Sequence, residues 1–314
     1  MLTENSWELS NLFLTKGGMT SMKIMCLTPC LMLDNTRAIN AKSIQNNIDV
    51  LKLDEYVIYD QMFAPSDFNS KCTYIGHADK RMGWAVPRNA LLKYFYDSDF
   101  DYAFFIDANS VPSKPTLNDL LSIIRSLRAG ELSFCDAIFS TLGMWVSQER
   151  IMCKSLPDHL ENVHLVPARC DKSYNWMHGL FVKNFKKYYG QEFYMDERCH
   201  VLEGTPEDVF FARLLRKYAN CWVAPTVVIN KPSSNASCTM ANGKGTYDYP
   251  PVLFDKEDEY ISELSQKNGY HHCNRSVRPS EVVIPRVSEY KDLVTPYKSR
   301  QKKVQETSRK QVLF

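Results

Sequence analysis

The fold is decided by one stretch of the chain, Asp101-Tyr102-Ala103-Phe104-Phe105-Ile106-Asp107-Ala108-Asn109. Residues 102–106 are apolar without alternation, which is typical of a central strand whose two faces are both covered by helices. A stretch with helical apolar spacing follows over 115–127, and Gly130 stops it. A strand that leads into a helix in this way is typical of one unit of a parallel sheet.

Outward from this unit, strands and helices alternate from residue 22 to residue 232. Short apolar runs predict strands at 23–28, 55–59, 71–75, 135–140, 177–183 and 222–229. Helical spacing predicts helices over 40–53, 87–96 and 205–218. The alternation predicts an α/β fold with a mostly parallel sheet flanked by helices.

The composition is that of a globular protein. The 314 residues include 38 Lys and Arg, 36 Asp and Glu, and 44% hydrophobic residues, which excludes a disordered, collagen-like or coiled-coil chain. No apolar run reaches the roughly 18 residues of a membrane span. Residues 1–18 carry charged and polar side chains with no uninterrupted apolar core, so we do not expect a signal peptide there. The ten cysteines contain no CxxC pair, so we expect neither a zinc ribbon nor a disulfide framework. These features predict a cytoplasmic protein.

Pattern and charge divide the chain into four parts. Residues 1–21 are a lead-in, 22–232 carry the alternation, 233–297 are a C-terminal extension that closes the site, and 298–314 are a basic, flexible tail. Ten basic and four acidic residues lie within 271–314. Such a basic end is either a solvated terminus or a contact for a phosphate-rich polymer.

Two polar side chains, Asp107 and Asn109, follow the central strand. Ligands of α/β sheets bind at the carboxyl ends of the strands. If the chain stays extended, residues two apart project to the same side, so the two side-chain oxygens can bind one Mg²⁺ or Mn²⁺ ion. Such a cation can neutralise a departing diphosphate. The alternative is an ordinary turn, because Asp and Asn are common after strands.

A second polar site is Glu203-Gly204-Thr205-Pro206-Glu207-Asp208, at the start of the helix predicted over 205–218. Thr205 suits the N-cap, Pro206 the first helical position, and Asp208 the third. Capping alone explains these residues. The functional alternative is that Glu207 or Asp208 removes a proton from an acceptor hydroxyl.

The sequence resembles the nucleotide-sugar glycosyltransferases of the GT-A fold in four blocks, which keep that family's order and spacing over residues 22–232. The first block, Lys80–Leu92, has the pattern Gly-x-Ala-x-x-Arg-Asn, and the second, Asp101–Asn109, stands at the family's Asp-x-Asp position. The other two blocks are Trp176–Val182 and Glu207–Leu215. The resemblance implies a GT-A (Rossmann-like) fold with a C-terminal extension. It also implies an enzyme that transfers a hexose or a pentose from a UDP-sugar to a hydroxyl acceptor.

The resemblance implies a role for each matched residue. On the donor side it implies Thr28 and Pro29 at the nucleotide base, Asp60 at the ring N–H of that base, Arg88 at the diphosphate, and Asp107, Asn109 and Gly179 around the sugar diphosphate. A divalent metal, Mn²⁺ or Mg²⁺, would be held by Asp107 and Asn109 with a histidine of the C-terminal region. The candidates for that ligand are His271 and His272, which could equally be loop residues. Asp208, with Glu207 beside it, would be the catalytic base, which implies inversion at the anomeric carbon. Asn109 departs from the family's usual second Asp, so the cation would lose one countercharge. Each position also has a structural interpretation, as a strand end, a turn residue or a surface ion pair.

The predicted acceptor side is basic and aromatic. Its residues are Trp176, His178, Lys183, Lys186 and Lys187. Phosphate contacts beside aromatic rings are the usual means of binding a nucleic-acid strand or an extruded base. In general character the chain resembles the enzymes of T-even-type phages that add sugars to 5-hydroxymethylcytosine in DNA. That resemblance implies double-stranded DNA as the partner, arabinose or glucose as the sugar, and the host cytoplasm as the location. The alternative for residues 183–189 is an amphipathic helix with a solvated face.

Other functions stay open at this stage. They are a cytosolic transferase for a small-molecule, protein or glycan acceptor, a non-catalytic nucleotide- or DNA-binding module, and another Rossmann-like enzyme such as a dehydrogenase. The dehydrogenase is disfavoured because the sequence has no GxGxxG loop after its first strand.

Overall fold

Nine strands form one sheet in the part of the chain that the computed structural model describes, residues 21–30, 37–60, 71–77, 85–142, 165–168, 179–197, 207–230 and 257–273. The strands are β1 (Ile24–Cys30), β2 (Glu55–Asp60), β3 (Thr73–His77), β4 (Tyr102–Phe105), β5 (Val111–Pro112), β6 (Ala137–Leu142), β7 (Val166–Pro167), β8 (Leu180–Lys183) and β9 (Cys221–Asn230). The helices are α1 (Arg37–Leu51), α2 (Ala85–Tyr96), α3 (Leu117–Arg128), α4 (Phe185–Tyr189), α5 (Glu207–Tyr218) and α6 (Glu257–Asn268), with a 3-10 turn at Lys114–Thr116.

The strand order is β3-β2-β1-β4-β8-β6-β9-β5, and β7 also pairs with β9. β3, β2, β1 and β4 are parallel neighbours, as are β6 and β9. β8 lies between β4 and β6 and runs antiparallel to both, so six of the nine strands point the same way. The predicted α/β class with a mostly parallel sheet is therefore confirmed. The reversal of β8 was not predicted, since an apolar run reads the same in either direction.

The parallel strands give the sheet two distinct ends. At one end β2 finishes at Asp60, and β4 passes into Asp107 where β8 begins. At the other end Tyr102, the first residue of β4, lies opposite Lys183, the last residue of β8, and β6 begins at Ala137. We call these the carboxyl end and the amino end of the sheet.

Both faces of the sheet are covered by helices. Helices α2 and α5 pack on one face in the same cluster as Phe105, and helices α1 and α3 pack on the other in the same cluster as Phe104. Both phenylalanines are fully buried, which explains why the sequence of β4 does not alternate. Burying each such side chain contributes roughly 1.5–3 kcal/mol to folding.

The predicted helices over 40–53, 87–96 and 115–127 correspond to α1, α2 and α3 with shifts of up to three residues. Helix α6 and the two-residue strands β5 and β7 had no counterpart in the predictions. The division into 1–21, 22–232, 233–297 and 298–314 stays a prediction, because most of its terminal parts lie outside the described residues. Within the described ranges, no helix combines the length and apolar character needed to cross a bilayer.

Candidate functional site

Thr28 and Asp60 share one face of the sheet at its carboxyl end. Residues two apart on a strand share a face, and Cys30, two residues after Thr28, is the register partner of Asp60. Thr28 is 5% exposed and Asp60 is fully buried. Pro29, also buried, lies between Thr28 and Cys30. The three residues predicted to surround a nucleotide base therefore lie at the ends of two neighbouring strands.

Arg88 and Asp107 form an ion pair at the same end of the sheet. Helix α2 carries Arg88, and its Nη2 lies 3.5 Å from Oδ1 of Asp107. The side chains are 4% and 10% exposed, respectively. A buried ion pair is costly to desolvate, and such a pair at a strand end makes this position a candidate for a functional site.

Asp107 and Asn109 belong to a turn, and the extended geometry considered above is wrong. The N–H of Ser110 donates to the carbonyl of Asp107 at 3.0 Å, which closes the turn. Asn47 of helix α1 donates from Nδ2 to the carbonyl of Ser110 at 2.9 Å and fixes the turn to that helix. Asp107 is 7% exposed and Asn109 6%. The turn interpretation and a ligand role are compatible, because the turn holds both side chains at the carboxyl end.

The residues present fit a cation that is shared with a phosphate-bearing ligand. Asp107 supplies a carboxylate and Asn109 an amide oxygen. Mg²⁺ is commonly held by one or two carboxylates, with phosphate and water oxygens completing its shell. Among the described residues no group of three or more His, Cys, Asp and Glu is placed to bind a metal by itself.

The structure separates His271 from this turn, so the prediction of His271 as a third metal ligand is corrected. The backbone of His271 exchanges two hydrogen bonds with the side chain of Gln191, at 2.9 and 3.1 Å. Cys273, two residues on, donates from its N–H to the carbonyl of Tyr218 at 2.7 Å. Tyr218 ends helix α5 just before β9 begins, which places His271 at the amino end of the sheet. Asp107 lies at the carboxyl end.

Lys183 is a buried structural residue. Its Nζ lies 2.9 Å from Oδ1 of Asp136, and the side chains are 5% and 0% exposed. Asp136 also accepts from the hydroxyl of Tyr189 at 2.5 Å and from the N–H of Asn220 at 2.8 Å. Burial and the bond to Asp136 raise the pKa of Tyr189, so its hydroxyl stays a donor. Lys183 is therefore not available to a nucleic acid, and Asp136 is a residue that the sequence interpretation missed.

Lys186 and Lys187 are exposed but each pairs with acids of the same chain. Lys186 lies 2.5 Å from Asp97 and 2.9 Å from Glu192, and these bonds raise its pKa. Lys187 lies 2.7 Å from Asp101. Burial of Asp101 opposes its charge, but bonds from Lys187 and Tyr188 outweigh that effect and lower its pKa.

These lysines also lie far from the turn at Asp107. Lys183 is opposite Tyr102 at the amino end, and helix α4, which carries Lys186 and Lys187, follows it directly. Asp107 follows Tyr102 by five residues, and at the rise per residue of a strand this corresponds to a distance of about 15 Å. The predicted acceptor contact of Lys183 is therefore corrected, because its side chain is buried against Asp136. Lys186 and Lys187 lie at the amino end of the sheet and pair with acids of the same chain, and their contact with an acceptor stays a prediction.

Residues 191–197 carry the chain from the amino end back to the carboxyl end, and we call them the return segment. Gln191 contacts His271 at the amino end. The hydroxyl of Tyr96 then donates to the carbonyl of Phe193 at 3.1 Å. Two turns earlier on helix α2, Asn89 bonds to Met195. The return segment thus runs antiparallel to α2, towards the turn of the helix that carries Arg88.

Helix α5 begins at Glu207 and Asp208, ten residues after the return segment. Two residues, Ala219 and Asn220, connect its last residue to β9, so the chain reverses there and the helix lies back along the sheet. Twelve helical residues span about 18 Å. The start of α5 is thereby directed to the carboxyl end, the same end as Arg88 and Asp107.

Gly179 occupies a position that excludes any side chain. Its φ is +148°, and a Cβ built there would lie 2.2 Å from Oγ of Ser140 and 2.8 Å from Cγ1 of Ile229. Its carbonyl accepts from the N–H of Ser140 at 2.8 Å. Gly179 therefore lies where the start of β8 packs against the end of β6, at the carboxyl end of the sheet. Trp176 and His178, which precede it, lie outside the described residues.

No protein-family model and no curated protein matches the sequence. Several solved structures resemble the fold. The S. aureus TarS 1-349 structure in complex with UDP-GlcNAc is 14% identical, with a TM-score of 0.45 over 82% of this chain and 69% of that chain. GalNAc-T7 with UDP, GalNAc and Mn²⁺ is 9% identical, with a TM-score of 0.44 over 67% and 44% of the two chains.

The mannosyltransferase PcManGT from Pyrobaculum calidifontis, in complex with GDP-Man and Mn²⁺, is 12% identical, with a TM-score of 0.42 over 74% of this chain and 64% of that chain. This chain spans 60% of the length of a further TarS 1-349 structure that it matches. At these identities and TM-scores the likenesses assign neither an activity nor a substrate.

Proposed function

We propose that this protein is a glycosyltransferase that moves a hexose or a pentose from a UDP-sugar to a hydroxyl acceptor with inversion. The observation that carries the proposal is the buried pair of Arg88 and Asp107, 3.5 Å apart, at the carboxyl end of the sheet. Ligands of α/β sheets bind at that end. The Arg88 guanidinium can bind the negative diphosphate of such a ligand, and the Asp107 carboxylate beside it can bind the metal ion that accompanies the diphosphate.

Arg88 is the residue for the diphosphate. A guanidinium presents several N–H donors in a plane that matches phosphate oxygens, and it stays charged at any working pH. As the bond to the anomeric carbon breaks, negative charge grows on the leaving diphosphate, and Arg88 stabilises that charge. Thr28, Pro29 and Asp60, on neighbouring strand ends, are then the walls for the base.

Asp107 and Asn109 are the residues for a divalent metal, Mn²⁺ or Mg²⁺. When bound, that ion supplies charge neutralisation at the diphosphate. The chain's contribution is the turn from Asp107 to Ser110, which Asn47 fixes to helix α1. Because helix α1 fixes the turn, the side-chain oxygens of Asp107 and Asn109 are positioned before the donor binds.

Asp208, with Glu207 beside it, is the proposed base. The start of α5 is directed to the donor end by the short connection to β9. The positive end of a helix lowers the basicity of a carboxylate, so we expect positioning of the acceptor hydroxyl to contribute more than proton affinity. A base on the face opposite the leaving group is the arrangement that inverts the anomeric carbon.

The finer proposal for the acceptor is 5-hydroxymethylcytosine in DNA, with the host cytoplasm as the location. It now draws on the sequence resemblance and on the basic residues of 271–314, because the patch at Lys183–Tyr189 lies at the other end of the sheet. Acceptors of the small-molecule, protein or glycan class are the alternative. Transfer of labelled sugar to plain and to hydroxymethylated duplex DNA separates the two.

The direct test of the proposed function is nucleotide binding. UDP and GDP, each with and without Mn²⁺, are added to the protein, and the melting temperature is followed. UDP-GlcNAc serves as the intact donor, since nucleotides of this class are present in the resembling structures. We expect stabilisation by UDP that increases with Mn²⁺. A protein that no nucleotide stabilises, and that leaves the donors uncleaved, contradicts the proposal.

A further inference from the structure

Asn89 contacts the return segment through both ends of its carboxamide. Its Nδ2 donates to the carbonyl of Met195 at 2.8 Å, and its Oδ1 accepts from the N–H of Met195 at 2.9 Å. Only a carboxamide side chain offers a donor and an acceptor in this arrangement. The two bonds pair the donor and the acceptor of the Met195 backbone, as a neighbouring strand would do, and so fix that backbone to helix α2.

The contact is buried and lies at the donor end of the helix. Asn89 is 8% exposed and Met195 4%. A third bond, from Nδ2 to Oε1 of Glu197 at 3.1 Å, holds the last part of the return segment as well. Asn89 directly follows Arg88, whose guanidinium pairs with Asp107. One helical turn thus holds both the proposed diphosphate contact and the return segment, whose last residue lies ten positions before helix α5.

We infer that Asn89 is a positioning residue for the transfer step. It sets where the chain departs towards Glu207 and Asp208, relative to Arg88 and the bound diphosphate. The inference rests on the proposed function and adds to it a residue with no contact to donor or acceptor. Misplacement of a base by about 1 Å costs on the order of a hundredfold in rate, so a polar tie at this point acts on turnover rather than on donor affinity.

The chain offers a matched control on the same helix and the same segment. Tyr96 lies two turns from Asn89, and its hydroxyl bonds to the carbonyl of Phe193 at 3.1 Å. This bond also ties the return segment to α2, but nearer the amino end. If the ties serve stability alone, loss of either has the same kind of effect. If Asn89 positions the base, only its loss affects turnover.

The experiment compares wild type, Asn89→Ala, Asn89→Asp and Tyr96→Phe. Cleavage of UDP-GlcNAc and UDP-glucose with Mn²⁺ gives kcat and KM, and calorimetry gives the affinity for UDP. We expect both Asn89 variants to lose about tenfold or more in kcat while KM and UDP affinity stay within about twofold. Tyr96→Phe keeps the wild-type kcat. If Asn89→Ala fails to fold, the inference is tested with Asn89→Asp, which keeps the shape of the side chain.

Normal turnover in the Asn89 variants, or an equal loss in Tyr96→Phe, overturns the inference while the proposed function stands. Hydrogen exchange at the Met195 amide checks the tie without any turnover. We expect faster exchange in Asn89→Ala than in wild type, and unchanged exchange overturns the tie itself. Wild-type protein that neither binds UDP nor cleaves a donor defeats the proposed function, and the role of Asn89 with it.

Discussion

Arg88 of helix α2 and Asp107 after strand β4 face each other across 3.5 Å at the carboxyl end of the sheet, both at least nine-tenths buried. Buried charges need compensation by charge or hydrogen bonds. Under the proposed function, a nucleoside diphosphate with its cation would supply that compensation to each partner separately. We expect Arg88 to turn to the phosphate and Asp107 to the cation when the donor binds.

Asp208→Asn tests the base. Asparagine keeps the shape and the capping ability of the side chain but accepts no proton. We expect kcat for donor cleavage to fall by about 10²–10⁴-fold while the affinity for UDP is kept. Steady-state kinetics and calorimetry measure the two quantities. Glu207→Gln tests the neighbouring carboxylate in the same way, because Glu207 is the alternative base. Near-normal turnover in Asp208→Asn shows that the base is another residue.

Lys183→Met and Lys187→Met test the structural roles of the two lysines. Lys183→Met leaves the buried carboxylate of Asp136 without its cation, so we expect it to lower the free energy of unfolding by about 3–5 kcal/mol. Lys187 pairs at the surface, with a side chain 40% exposed, and its loss should cost about 0–1 kcal/mol. Urea denaturation measures both.

The same two variants test the assignment of function. Lys187→Met should retain wild-type donor cleavage and wild-type transfer, because it lies at the amino end of the sheet. Equal stability losses in the two lysine variants would show that Lys183 is not buried as described. A selective loss of transfer to DNA in Lys187→Met would support the predicted contact of Lys187 with an acceptor.

Gly179→Ala tests the junction of β8 with β6. The added Cβ meets Oγ of Ser140 and Cγ1 of Ile229, and the backbone at φ +148° disfavours any side chain. We expect a loss of roughly 2–4 kcal/mol in the free energy of unfolding. Gly190→Ala is the control, because Gly190 also has a positive φ, +69°, but nothing lies within 4 Å of its Cβ position.

Gly190→Ala should therefore cost only about 1 kcal/mol, the contribution of backbone conformation. Thermal or urea unfolding of the two variants measures the difference. Similar losses at both glycines would mean that the close approach of Ser140 and Ile229 does not exist in solution.

The elements of the fold were predictable where the signal is local. Residues 102–106 have no polar face, so a central strand was the expected structure, and Phe104 and Phe105 are buried on opposite faces. The helix over 115–127 was predictable from the helical spacing of its apolar residues. The direction of β8 was not predictable, because it depends on which strands flank it.

The site was predictable only in part. Strand ends and a resemblance single out Thr28, Asp60 and Arg88 in the sequence, as they do Asp107. The structure places these residues at the carboxyl end of the sheet, and their roles at a donor stay predictions. The burial of Lys183 was missed because its partner Asp136 lies 47 residues away along the chain, and the pairing of Lys187 with a residue 86 positions away was missed for the same reason. Asn89 is the last residue of the Gly-x-Ala-x-x-Arg-Asn pattern, but that pattern does not reveal its partner Met195, which is 106 residues distant. Pairings of this kind are set by the packing of elements and leave no trace in composition or periodicity.

The most direct measurement of the central claim is calorimetric titration of UDP, with and without Mn²⁺, into wild type, Asp107→Asn and Asp97→Asn. Asp97 is an exposed acid at the amino end and receives the same chemical change. We predict that Mn²⁺ strengthens UDP binding to wild type and Asp97→Asn, and that Asp107→Asn loses this strengthening. UDP affinity that is the same for all three proteins, or absent in all three, would contradict a nucleotide-sugar site at Arg88 and Asp107.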